Sequence, residues 1–108
     1  MPFKKLLKKY SKKDLKIYIV DGKRVRDKMD VSFGLGGHDK VYKYIPSGEV
    51  WIEKLGKDMK PILLHELFER KLMKSGSSYD EAHKGATIAE SFYRRNPKLI
   101  EKRLKELL

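Results

Sequence analysis

Apolar residues along this chain change their rhythm near Gly56. Before it they come in short alternating runs broken by Gly, Pro and Asp; after it they recur every three to four residues over long stretches. Lys16 to Val20 is rich in β-branched and aromatic residues and predicts a strand, closed by the turn signal Asp21-Gly22. Lys23 to Arg26 reads as a second, polar strand pairing back. Asp27 to Asp39 carries Gly34, Gly36 and Gly37 and reads as a loop. Val41 to Ile45 alternates and ends at Pro46-Ser47-Gly48; Glu49 to Glu53, with Trp51 at its centre, follows as a strand, and the two predict a hairpin. At the start, Phe3, Leu6, Leu7 and Tyr10 recur at helical spacing between lysines, which predicts a short basic amphipathic helix packed on the domain.

The second half reads as helix. Pro61 suits a first turn, and Ile62 to Lys74 then runs without a breaker until Ser75-Gly76. Ser78 and Glu81 form a capping-box pair for a second helix that reaches about Arg95. Asn96-Pro97 ends it and starts a third, with Asn96 as cap and Leu99, Ile100, Arg103, Leu104, Leu107 and Leu108 on one side. Strands first and helices after predict an α+β fold: a small antiparallel or mixed sheet, then two long helices and a C-terminal helix. The chain is one domain, residues 1–108. It comprises a basic N-terminal segment (1–13), a strand region (16–54) and a helical region (58–108).

Composition narrows the chemistry. The chain has no cysteine, which excludes disulfides, thiolate-bound zinc and a cysteine nucleophile. No apolar run approaches the roughly 20 residues that span a bilayer, and no signal peptide is visible, so the expected location is the cytoplasm. There is no Gln and one Asn, with Lys, Arg and Glu abundant, a bias shared with proteins from hot environments. The net charge of +11 attracts polyanions such as nucleic acids, but a lysine-rich solvated surface is the plainer account, because the same compositional bias raises lysine content by itself. Tyr42 and Tyr44 with Trp51 fit either a base-stacking surface or a half-buried sheet. Gly36-Gly37-His38 fits a phosphate-binding turn or a plain one.

On the first long helix, Glu69 lies about 40° from His65 and Leu72 about 20° to the other side, with Ile62, Phe68 and Met73 flanking and Arg70, Lys71 and Lys74 opposite. An imidazole and a carboxylate therefore sit within the apolar face. A carboxylate there must be paired, protonated, solvated in a cleft or bound to a metal. On the second helix His83, Thr87, Glu90 and Arg94 share a face, beside a stripe of Ala82, Ala86 and Ala89 that permits close helix packing. Packing of that stripe on the first helix brings His83 and Glu90 to His65 and Glu69. The set suits zinc or another first-row divalent ion. It equally suits a structural network in which Glu69 and Glu90 pair with His83, Arg94 or lysines.

His65-Glu66-Leu67-Phe68-Glu69 resembles the zincin metallopeptidase motif His-Glu-x-x-His, with Glu in the place of the second His. Glu90 comes about twenty residues later, where the gluzincin branch carries its third ligand. With Trp51-Ile52-Glu53 and Tyr79 to His83, the last two thirds of the chain is similar to small gluzincin-type, minigluzincin-like proteins of archaea and phages. The resemblance implies His65 and Glu90 as metal ligands, Glu69 in the second-His position, Glu66 as general base, a zinc ion, and a peptide or protein substrate. His83 is a further candidate donor. The competing reading is a non-enzymatic basic module that binds nucleic acid or a protein partner, its His/Glu cluster serving structure.

Overall fold

The computed structural model describes residues 3–54 and 56–108. Its sheet is built on β2 (Lys16–Val20) and β4 (Glu49–Glu53), which pair in parallel with Ile17 opposite Val50 and Ile19 opposite Ile52. Parallel neighbours need a crossover rather than a tight turn. Asp21-Gly22 therefore opens a helix instead of a hairpin: the Asp21 side chain accepts from Arg24 N and caps α1 (Gly22–Lys28). The predicted polar strand at Lys23 to Arg26 is this helix. Two short edge strands complete the sheet in the order β1-β2-β4-β3. β1 (Lys4–Leu6) and β3 (Gly36–His38) run antiparallel to β2 and β4.

The N-terminal helix is replaced by β1 and a 3-10 turn at Lys8–Tyr10. Hydrogen bonding to the open edge of β2 outweighs a weak local helical pattern. The residues that would have shared one helical face divide between the two faces of the sheet: Phe3 reaches Trp51 on one, Leu7 and Tyr10 the core on the other. The predicted hairpin is also absent. Residues 41–45 form successive turns, with Val41 N and Tyr42 N both donating to His38 O, and β4 takes β3 as its antiparallel partner. The loop assigned to 27–39 thus hides a strand whose glycines gave no β signal.

The sheet is covered on both faces, which explains the unbroken apolar run in β4. On one face Val20, Val25, Phe33, Ile45 and Trp51 are buried, with rings in contact from Phe3 through Trp51, Tyr44 and Tyr42 to Phe33. Trp51 is 1% exposed and is core, not a base-stacking platform. On the other face Ile17, Val50 and Ile52 meet α2 (Met59–Lys74) through Leu63, Leu64 and Leu67. Each such side chain contributes about 1.5–3 kcal/mol by burial. α4 (Ile100–Leu107) closes this core with Ile100, Leu104 and Leu107, while Leu99 stays half exposed.

α3 (Tyr79–Arg95) begins as expected, with Ser78 Oγ accepting from Glu81 N. It packs on α2 through Ala82 and Ala86, both fully buried, with Ala89 partly buried beside them. Gly85 belongs to the same contact, since a Cβ there would lie 3.1 Å from Leu72 Cδ1. The small-residue stripe thus sets the helix spacing that the site requires. Asn96 donates from its side-chain amide to Phe92 O and does not cap α4. No helix among the described residues is long and apolar enough to cross a membrane, and the globule has a radius of gyration of 13.0 Å.

Candidate metal centre

The middle of α2 is buried on every side, and three of its polar residues are buried with it: His65 and Glu66 at 8% exposure and Glu69 at 4%. Glu69 is the hub. Its Oε2 lies 2.8 Å from His83 Nδ1 and 3.2 Å from His65 Nε2, and its Oε1 lies 2.9 Å from His38 Nε2. Burial alone would raise the Glu69 carboxyl's pKa. Hydrogen bonds from His38, His65 and His83 outweigh it and hold the pKa well below the usual carboxylate range. The ionised side chain has two oxygens shared among three imidazoles.

His65 is held from both sides. Its Nδ1 lies 2.9 Å from Glu90 Oε1, so both ring nitrogens face carboxylates, and only the imidazolium can donate to both. Burial acts to lower its pKa, but the Glu69 hydrogen bond and the charges of Glu66, Glu69 and Glu90 win, and it is raised. Glu66 differs from its neighbours: it forms no hydrogen bond or ion pair with any described residue. Burial, then the Glu69 charge, pushes its carboxyl up to about 8, with His65 pulling the other way.

Four of the five predicted residues, His65, Glu66, Glu69 and His83, gather around Glu69, and Glu90 takes a different place. Its Oε1 stands behind the His65 ring, and its Oε2 accepts from Arg94 Nε at 2.8 Å, with Arg94 also bonded to Asp58. The donor atoms of His65, Glu69 and His83 lie within 4.8 Å of one another, as do those of His38, Glu66 and Glu69; Glu90 belongs to neither group. Glu90 Oε1 thus bonds the far side of the His65 ring and does not join the atoms gathered at Glu69. Thr87 is exposed.

Two imidazole nitrogens and a carboxylate oxygen form the donor set of a catalytic zinc site with its fourth position open. Metal–ligand bonds of about 2.0–2.1 Å at tetrahedral angles put donor atoms about 3.3 Å apart. The 2.8 and 3.2 Å separations around Glu69 Oε2 need only a slight opening to meet this. The cluster opens into a cleft of about 280 Å³, bounded also by Gly36, Tyr42, Ile62 and Tyr79. Tyr79 stacks on the His83 ring at 5.4 Å.

His38 is the participant the sequence did not place. β3 delivers it, fully buried, because Gly36 lets the strand pass close over α2: a Cβ at 36 would lie 3.0 Å from Glu66 Cγ and 3.1 Å from Ile62 Cγ2. His38 at the end of β3 and Asp39 just after it meet the adjacent Glu69 and Arg70 on α2. Arg70, expected to face solvent, instead binds Asp39 through Nε at 2.7 Å and Nη2 at 3.2 Å. Elsewhere Lys12, Lys13, Arg70, Lys71 and Lys74 line a second cleft together with Asp14 and Glu106. No family model, curated protein or solved structure matches this chain.

Proposed function

We propose that this is a zincin-like protein in which His65, Glu69 and His83 hold one divalent ion, zinc or another first-row metal, and that the centre serves as a minimal metal-dependent peptidase. The observation that carries this reading is the Glu69 carboxylate, 4% exposed and aimed at three imidazoles beside an open cleft. When bound, such an ion lowers the pKa of a coordinated water to near 7. His65 presents Nε2 to the ion, and Glu90 fixes that orientation by accepting from Nδ1, the usual carboxylate support of a ligating histidine. Glu66 lines the same cleft with no hydrogen-bond partner among the described residues. Burial and the Glu69 charge keep it protonated near neutral pH without a metal, and the charge of a bound divalent ion would lower its pKa and leave a carboxylate that can take a proton there. Tyr79 holds the His83 ring by stacking. The basic-module reading retains the charge of +11, but of the rings it would need for stacking Trp51 is buried and Tyr42 and Tyr44 pack partly buried against the same core.

Metal analysis of protein purified without an affinity tag tests the reading. The expected result is about one divalent ion per chain, a melting temperature lowered by chelator, and no chelator effect in His65→Ala. Glu66→Gln should keep the metal and lose peptide hydrolysis. Protein that takes up no metal, with a melting temperature indifferent to chelator, would show the cluster to be structural.

A further inference from the structure

We infer that His38 is a positioning residue of this centre: it donates from Nε2 to Glu69 Oε1, aims Oε2 at the ion, and keeps the site mononuclear. The inference rests on the metal-binding reading above. His38, Glu66 and Glu69 gather donor atoms within 4.8 Å and have the outward form of a second cation site sharing Glu69. The other side of the His38 ring argues against that use. Lys40 N donates to His38 Nδ1 at 3.2 Å. A backbone N–H has only a proton to offer, so Nδ1 must present its lone pair and the ring's proton sits on Nε2. That proton points at Glu69 Oε1, 2.9 Å away. An ion on Nε2 would require the other tautomer, with two N–H groups facing each other across the part-buried Lys40 contact of a fully buried ring.

The two oxygens of Glu69 consequently differ. Oε1 is occupied by His38, while Oε2 faces His65 Nε2 and His83 Nδ1, the two nitrogens of the proposed ligand set. A carboxylate hinged on a flexible side chain is thereby fixed as a ligand through one oxygen. The arrangement mirrors Glu90 on the far side of His65, so two of the three ligands are oriented by a dedicated partner. It also leaves Glu66 unligated, as its proton-accepting role requires.

Zinc titration by calorimetry on wild type, His38→Ala and His38→Gln tests this, together with nitrogen-15 NMR of the wild-type imidazoles. Wild type should bind about one ion. His38→Ala should keep that stoichiometry and lose about 10- to 100-fold in affinity, and His38→Gln, whose amide N–H can donate to Glu69, should recover part of the loss. In wild type the His38 proton should stay on Nε2 with and without zinc, a readout independent of any variant. Two ions per wild-type chain falling to one in His38→Ala, or a proton that moves to Nδ1 on zinc addition, would make His38 a ligand and overturn the inference. Unchanged affinity in His38→Ala would reduce it to packing while leaving the proposed centre standing. A wild type that binds no zinc defeats the proposed centre and this inference with it.

Discussion

Two contacts tie β3 and its following residue to α2, one residue apart on each side: His38 meets Glu69, and Asp39 meets Arg70. They are built from similar chemistry at similar depth, yet one is closed and the other open. Asp39 receives Arg70 through Nε on one oxygen, and through Nη2 and Gly48 N on the other. Its charge is matched by one counter-charge in fork geometry, with nothing left over. Glu69 is surrounded by more imidazoles than it has oxygens, with the unbonded Glu66 one turn away. A pair that exists to hold the fold can be complete by itself. Both carboxylates accept three hydrogen bonds, but those on Glu69 come from imidazoles that can also ligate, beside an unbonded carboxyl and a cleft, which is the room the proposed ion would take.

The comparison breaks most visibly at Arg70. Arg70→Ala leaves the Asp39 carboxylate, 4% exposed, with only the Gly48 amide. Losing one partner of a buried pair costs about 3–5 kcal/mol, a large share of the roughly 5–15 kcal/mol that holds a domain together. Urea unfolding should show that loss, while metal content of the folded fraction stays unchanged. A loss under about 1 kcal/mol would show the pair to be no more than a surface bridge in effect.

Gly36→Ala tests whether the two contacts are coupled through their shared strand. The added methyl would lie 3.0 Å from Glu66 Cγ and 3.2 Å from Trp51 O, and the backbone oxygen cannot step aside. Overpacking of this kind costs about 1–3 kcal/mol. Because the strand that carries His38 must shift, zinc affinity should fall along with stability. Stability lost with affinity intact would mean that the site tolerates movement of β3.

How much of this was legible in the residues follows from which forces act locally. α2 and α3 could be read because their period, the Ser78 cap and the alanine stripe are all encoded within single helices. His65, Glu69, His83 and Glu90 were found by the same means, as charged or titratable groups on faces that had to meet. β1 and β3 were not legible. One is a strand because β2 offers an open edge, the other because glycines let it pass over α2, and both causes lie far away in sequence. His38 was noticed but could not be placed, since its address depends on β3. The Asp39–Arg70 pair was not foreseen for the same reason: the helical wheel shows which way Arg70 points, not that the chain returns to cover it.

The smallest expected effect on stability, and the sharpest contrast with Arg70, belongs to His83. Its side chain is 49% exposed, so the hydrogen bond it gives Glu69 is partly replaced by water when lost. Alanine is also the better helix former, which offsets part of the remaining loss. His83→Ala should therefore change unfolding free energy by less than about 1 kcal/mol, in either direction. Its effect on zinc should be of another order, because a donor is removed from a set of three and Glu69 Oε2 is left with His65 alone. Affinity should fall further than the roughly 10- to 100-fold expected for an outer partner such as His38. Calorimetric titration beside thermal unfolding of the metal-free protein separates the two quantities. If stability and affinity instead fall in proportion, Glu69 is a structural hub of the same kind as Asp39, and the open cluster and the closed pair serve one purpose.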